Sequence, residues 1–442
     1  MIDEDDLLRK LKPTLKGRAK DLWYLGLFAQ NNEEQRSYLS HLRLMADLYS
    51  KIDFGDEIRL PPPTPKKLQG ELNIGSVLYP DSSMCECGIE RTELLRHIII
   101  SGMTGSGKTN LVKHLLIQLA NRNIPFLVFD WKGSYRRLLK GTSSKQVQVY
   151  KLGRDDCPLR FNPLIPPNGI EPKNWAALLV DILRHAFFLG QGVEYLLRKG
   201  INSLYKRNDQ STEPIPFTTF SELESLLLKE YARGREMLWH SSAKRALAHL
   251  GKSGLLHYVL NSPSKQSLPD LLDKPTVIEL DELGIGERLF VTEALLLWIY
   301  IYRKSQGRTK QLRHVLVVEE GHQVLSARKE REFGGETVIE NMVRMVREFG
   351  EGIIVVDQEP HKLARSVIAN SGCKISFRLG NGWDADCVAQ AIGLEKRNRN
   401  WLLRIPTGQA IVSLKERFSE NVLTQIPLTE TEKEEKSPYR YP

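Results

Sequence analysis

Beyond residue 70 the chain alternates short apolar runs with stretches in which apolar side chains recur every three or four positions. The runs at 98–100, 126–129, 276–280, 315–318, 352–356 and 374–378 read as strands buried on both faces. Helical periods lie between them, as in Leu111, Val112, Leu115, Leu116 and Leu119. This alternation predicts an α/β fold with a mostly parallel sheet covered by helices. Between the second and third runs, residues 155–267 carry helical patterns such as WAALLVDILRHAFF and FSELESLLLKEY. That is too long for an ordinary crossover, so it reads as a helical insertion or lid. Residues 1–60 also read as helices, from Leu7, Leu8, Leu11 and Leu15, then Trp23, Leu25, Leu27 and Phe28, then Leu39, Leu42, Leu44 and Leu48. The proline-rich stretch 61–69 separates this module from a core made of 70–154 and 268–427, and 428–442 reads as a polar tail.

The first buried run leads directly into GMTGSGKTN. Gly102, Gly107, Lys108 and Thr109 satisfy the G-x-x-x-x-G-K-[ST] spacing between a strand and an amphipathic helix, which is the context a phosphate loop requires. Glycines let backbone N–H groups curl around phosphate oxygens, and the helix N-terminus favours an anion. Lys108 supplies a point charge, and the Thr109 hydroxyl can ligate magnesium. Thr104, Gly105, Ser106 and Asn110 complete the nucleotide-binding candidates on this loop.

A phosphate loop needs partners for magnesium and for water, and these are expected at a buried strand's C-terminal end. The run RHVLVVEEGH ends four apolar residues with Glu319 and Glu320. We assign Glu319 to magnesium, in a position where Asp is usual, and Glu320 to the attacking water. ATP and Mg2+ are the expected cofactors.

Composition narrows the setting. With 442 residues and 41% apolar content the chain can bury a sizeable core. No apolar run approaches the length needed to span a bilayer, and the start MIDEDDLLRK is unlike a secretory signal, so a cytoplasmic location is expected. Five cysteines, an odd number, suggest no disulfide framework. Cys85 and Cys87 form a C-x-C pair, but no second pair completes a zinc site. The net charge is +9, and residues 1–66 contribute eleven acids and eleven bases, so the whole excess lies with the nucleotide motif. A basic surface favours polyanions. Arg303, Lys304, Arg308, Lys310 and Arg313 form an acid-free cluster, readable either as a solvated helix end or as a DNA contact.

Taken in order, LLRHIIISGMTGSGKT, FLVFDWKGSY, VVEEGH, VREFGEGIIVVDQEP and IPTGQAIVSL resemble the HerA/FtsK superfamily of ring-forming ATPases, most of all HerA-type DNA translocases. The resemblance covers about residues 70–415. It implies a RecA-like P-loop core, a homohexamer, and ATP hydrolysis coupled to movement along double-stranded DNA. It further implies roles for single positions. Arg96 matches an arginine that contacts nucleotide within the same subunit, and Asp130 and Lys132 match a polar cluster near the bound phosphates. Gln358 matches a γ-phosphate sensor. Arg344 and Arg347, three apart on one helix face, match the arginine that reaches a neighbouring subunit's nucleotide, and the sequence does not choose between them. HerA proteins usually open with a small β-barrel, whereas the first 50 residues here read as helices.

The expected function is therefore an ATP-driven motor on duplex DNA, working with a nuclease or other effector in end processing, DNA transfer or antiviral defence. An ATP-gated scaffold that licenses a partner enzyme without translocating, and a conjugation- or packaging-type DNA pump, are the alternatives.

Overall fold

The computed structural model describes residues 11, 18–27, 32–49, 58, 60–61, 63–79, 82–136, 147–209, 218–229, 232–262, 268–328 and 337–429. Leu7, Leu8, Leu15, Phe28 and tail positions 430–442 lie outside them. Helices α1 (Arg18–Leu27) and α2 (Asn32–Tyr49) come first, where the leucine spacing predicts helices. Strands β1 (Leu72–Leu78) and β2 (Ser83–Ile89) follow. Next come α3 (Arg91–Leu95), β3 (Ile98–Ser101), α4 (Lys108–Asn121), β4 (Phe126–Asp130) and β5 (Gln148–Lys151). Helices α5 (Pro172–Phe187), α6 (Gln191–Asp209), α7 (Phe220–Lys229) and α8 (Arg235–Leu250) precede β6 (Thr276–Glu279). The chain continues through α9 (Ile285–Ser305), β7 (Thr309–Glu319), α10 (Val338–Val346) and β8 (Phe349–Asp357). It ends with β9 (Cys373–Ser376), α11 (Gly382–Ile392), β10 (Gln409–Leu414) and β11 (Asn421–Gln425).

These elements fall into two units. One draws on Met1–Glu90, Ser101–Leu111 and Gly372–Leu428, the other on Arg91–Ile100, Val112–Ser371 and Thr429–Pro442. In the first unit the strands run in the order β2-β1-β11-β10-β9, and the four neighbouring pairs are antiparallel. None of β1, β2, β10 and β11 was expected from apolar runs, because their side chains are mixed, as in SMCECGI of β2, even though β10 and β11 are buried at all but one position each. Leu379, Ala385, Val388, Ile392, Ile405, Ile411 and Leu423 form a buried cluster in this unit. Leu11, Trp23 and Leu42 form another.

The second unit holds the order β3-β8-β7-β4-β6-β5. The pairs β7/β8, β4/β7, β4/β6 and β5/β6 are all parallel. Its strands are apolar because helices cover them: every residue of β4 and β8 is buried. Leu127, Phe129, Leu316, Val318, Ile353 and Val355 from the sheet share one core with Trp175 and Leu179 of α5 and Phe290 and Leu295 of α9. Leu197, Phe220 and Leu247 bring α6, α7 and α8 into the same core. Helix α9 is apolar on nearly every side, which fits a helix buried all round.

One buried charge network departs from both sequence readings of the basic cluster. Arg303 is only 6% exposed and lies 2.5 Å from Glu351, which also meets His314 at 2.8 Å. Burial opposes ionisation of Glu351, but His314 and Arg303 outweigh it and hold the carboxyl below its ordinary range. Arg303 is therefore a core residue, whereas Lys304, Arg308 and Lys310 are exposed. Among the described residues no helix is long and apolar enough to cross a membrane, and no group of three or more His, Cys, Asp and Glu side chains is arranged to hold a metal ion by itself.

Candidate active site

The phosphate loop belongs to the first unit. Gly102, Gly105 and Gly107 take φ values of 155°, 76° and 120°, which side-chain-bearing residues avoid. A Cβ on Gly102 would stand 2.7 Å from Phe377 Cβ, and one on Gly107 would stand 2.9 Å from Phe377 Cε1. Phe377 thus leaves no room for a side chain at either glycine. Two backbone bonds fix its start, Phe377 N to Ser101 O at 2.8 Å and Met103 N to Arg378 O at 2.7 Å. Gly408 N donates to Ser106 O at 3.1 Å and fixes its crown. Lys108 folds across the loop and donates to the carbonyls of Gly102 at 2.6 Å and Met103 at 3.0 Å. Thr104 and Gly105 are exposed and Thr109 is half-buried. The Asn110 amide donates to Pro427 O at 2.8 Å, so it braces the start of α4. Ser106 Oγ is buried without a hydrogen-bond partner. An orphaned hydroxyl inside a glycine-rich anion nest fits a bound phosphate group.

In the second unit, parallel register lines up acidic residues. Asp130 pairs with Glu279, Phe129 pairs with Val318, and Glu319 pairs with Val356. Glu279, Asp130 and Glu319 therefore stand side by side on β6, β4 and β7, only 2%, 0% and 5% exposed. Glu279 is answered by Arg136, whose Nε and Nη2 reach it at 2.9 and 2.7 Å. Asp130 instead accepts the backbone N–H groups of Lys132 at 3.1 Å and Tyr135 at 2.9 Å, shaping the turn WKGSY. Burial raises its pKa, and those backbone bonds oppose the rise. Glu319 is raised to about 8, first by burial and then by the Asp130 charge, while the Tyr135 hydroxyl and Lys132 pull it back. Burial likewise pushes the Tyr135 hydroxyl well above its ordinary range, with the charges of Glu319 and Asp130 adding to it. Glu319 Oε2 has no hydrogen-bond partner. A dry carboxyl with an orphaned oxygen, beside a second acid, fits a divalent cation, which would stabilise its ionised form.

Glu320 is organised differently. It takes left-handed backbone angles, φ 48° and ψ 48°, so the chain turns sharply where β7 ends. One oxygen, Oε1, receives Lys132 Nζ and Gln358 Nε2, each at 2.5 Å. A residue with a Cβ at 321 would meet Val355 at 2.3 Å, so the tight turn needs Gly321. Asp357 underpins the turn, accepting His322 N at 2.5 Å and Glu359 N at 2.6 Å, with its carboxylate 3.1 Å from His322 Nδ1. Burial disfavours the charged His322 ring, but Asp357, Glu320 and Glu359 outweigh it and raise its pKa.

The structure thus gathers Asp130, Lys132, Glu319, Glu320 and Gln358 along one sheet edge. Arg96 is exposed in the turn before β3. Arg344 is exposed on α10 and donates to Asn341 Oδ1 at 2.6 Å, and Arg347 caps that helix, also exposed. Sequence reasoning passed over Glu279, Arg136, Tyr135, Asp357 and His322. Glu279 carried the same signal as Glu319, an acid ending a buried apolar run. Asp357 stands one residue before Gln358, at the end of the same apolar run.

The model of the family described as "Helicase HerA, central domain" matches residues 72–297, just over half of the chain. The chain belongs to this HerA family. It therefore carries the P-loop ATPase fold that the phosphate loop and parallel sheet indicate. The DNA double-strand break repair helicase HerA of Saccharolobus solfataricus is 24% identical over 353 residues, 78% of this chain and 66% of the relative. The probable HerA of Methanocaldococcus jannaschii is 21% identical over 366 residues, 72% of this chain and 69% of the relative. This HerA-family chain thus spans about two thirds of the length of the curated relatives it matches, just under in the first case. Among solved structures, VirB4 of Thermoanaerobacter pseudethanolicus superposes with a TM-score of 0.62 at 14% identity, covering 82% of this chain and 98% of VirB4. The bacterial conjugative coupling protein TrwB gives 0.60 at 12% identity, covering 85% and 94%. These likenesses concern the fold.

Proposed function

We propose that this HerA-family chain hydrolyses ATP and uses the energy to move along double-stranded DNA as a homohexamer. The observation that carries the proposal is Glu320, a carboxylate at a parallel-sheet edge held at 2.5 Å by both Lys132 and Gln358 beside a dry acid, Glu319. A base for water must be held and aimed, and a lysine with a glutamine amide achieves both. Gln358, which holds the base, would serve as the γ-phosphate sensor, and loss of that phosphate would then be felt at Glu320. Lys108 and the loop backbone bind the phosphates, with Ser106 Oγ available to them. Thr109 and Glu319 would hold magnesium, which when bound neutralises charge on the phosphate oxygens. Asp130 shapes the turn that presents Lys132. Arg96 serves the subunit's own nucleotide, and Arg344 or Arg347 serves a neighbour's, an arrangement that makes the ring obligatory for fast turnover. The relatives' description as double-strand break repair helicases supports DNA as the track. A nuclease or other effector partner, in end processing or antiviral defence, completes the reading.

The test is ATP turnover by the assembled protein with and without duplex DNA. Turnover should rise several-fold with DNA and the stimulation should fade as salt rises, because phosphate contacts release counterions. Identical turnover with and without DNA, together with failure to displace a protein roadblock, would favour the ATP-gated scaffold instead.

A further inference from the structure

His97 follows Arg96 directly and is buried, 3% exposed, with a left-handed φ of 63°. Its ring joins two elements far away in sequence. Ile353 N on β8 donates to Nδ1 at 3.2 Å, so that nitrogen carries no proton. Nε2 therefore bears the hydrogen and donates to Val343 O at 2.6 Å. With one donor and one acceptor each used, the neutral ring is satisfied and its tautomer is fixed. Burial, opposed by the Val343 bond and helped by the Arg347 charge, lowers its pKa to about 4, so the ring stays neutral near pH 7.

The Val343 carbonyl belongs to the last turn of α10, where carbonyls lack partners within the helix. His97 acts as a side-chain cap for the helix that carries Arg344 and Arg347. The segment before it is equally confined. A Cβ at Gly352 would stand 2.8 Å from Leu94 O, so only glycine lets 94–97 lie so close to β8. His97, Glu340, Val343, Arg344, Ser366 and Asn370 line one small cleft, so the histidine and the arginine border the same space.

We propose that His97 is a positioning residue that locks the arginine helix to β8 and to the Arg96 segment, so that an arginine offered to a neighbouring subunit is set by the same turn that carries Arg96. This rests on the reading of Arg344 or Arg347 as the arginine acting across subunits. It adds that the arginine helix is held through the turn that carries Arg96, a turn that the close approach of Leu94 to Gly352 confines independently of His97.

His97→Asn keeps an acceptor for Ile353 N, tolerates the left-handed backbone, and removes the donor to Val343. His97→Gln can still reach Val343 with an amide N–H. In the full chain with duplex DNA, His97→Asn should lower kcat by roughly ten- to a hundred-fold, as expected for a catalytic group displaced by about 1 Å. Nucleotide Kd, and KM with it, should stay within about two-fold, and His97→Gln should recover part of kcat. In an Arg344→Ala/Arg347→Ala background, His97→Asn should cause no further loss, because the group it positions is gone. An unchanged kcat in His97→Asn, or equal losses with and without the arginines, would overturn the proposal. Undiminished turnover in the double arginine variant alone would instead overturn the arginine reading, and this proposal with it. If His97→Asn fails to fold by circular dichroism, the same comparison on His97→Gln decides, its loss again vanishing or persisting without the arginines.

Discussion

Glu319 offers a prediction in which stability and function pull in opposite directions. Its carboxyl titrates at about 8 in the fold against an ordinary value of 4.5. The folded chain therefore keeps a proton that the unfolded chain releases across that window. A folded-state value above the unfolded one means that stability is fully present below pH 4.5 and is lost as pH rises towards about 8. Each unit inside the window is worth about 1.36 kcal/mol, so at pH 7 the loss is on the order of 3 kcal/mol. Glu319→Gln keeps the size and shape of the side chain but cannot ionise. Without nucleotide, the glutamine protein should be more stable than the parent by about 3 kcal/mol at pH 7. The gap should close near pH 4.5 and stop growing above about pH 8. Urea denaturation at a series of pH values measures this, with the parent as reference so that other titrating groups cancel. Adding magnesium and ATP should reverse the ranking. A bound cation requires the ionised carboxylate, so the parent gains about 4.1 kcal/mol at a thousand times its Kd, more than the gap it starts from, and the variant should gain far less. A glutamine variant less stable than the parent at pH 7, or a gap of equal size at pH 5 and pH 8, would refute the reasoning.

Three further outcomes follow from the same geometry. Glu320→Gln should bind nucleotide within a few-fold of the parent while turnover falls by about 10²-fold or more, measured by equilibrium nucleotide binding and steady-state hydrolysis, and unchanged turnover would remove its assignment as the base. Arg303→Ala strands Glu351, which is 0% exposed, with His314 alone, and should cost roughly 3–5 kcal/mol in chemical denaturation. Mixing Arg344→Ala subunits with Lys108→Ala subunits should restore part of the hydrolysis that each lacks, because one kind supplies the arginine and the other the loop. Failure of that mixture and of its Arg347→Ala counterpart would argue against delivery between subunits.

The chemistry that sequence alone determined is the chemistry carried by contiguous residues. GMTGSGKT between an apolar run and a helical period can hardly be anything but a phosphate loop, because the glycines' positive φ and the helix start are local requirements. The buried parallel strands were legible for a related reason. Strands covered on both faces must be apolar throughout, and five such runs coincide with β3, β4, β6, β7 and β8 while the sixth coincides with β9, which pairs antiparallel with β10; the parallel strand β5, QVYK, left no such run. The antiparallel strands β1, β2, β10 and β11 left no such trace, since their pairing partners lie up to about 350 residues apart and their side chains are mixed. Tertiary structure alone decided that Glu279, Asp130 and Glu319 form one row, because only parallel register brings three strand ends level. It also decided that Lys132 and Gln358 meet on Glu320, and that Arg303, one basic residue among five in the sequence, belongs to the core. His97 is the sharpest case. In sequence it is a histidine beside an arginine, and only the packing of α10 and β8 against the same short turn gives its two nitrogens distinct tasks. A sequence specifies which groups are present, whereas dielectric, register and long-range hydrogen bonds arise only when distant segments exclude water together.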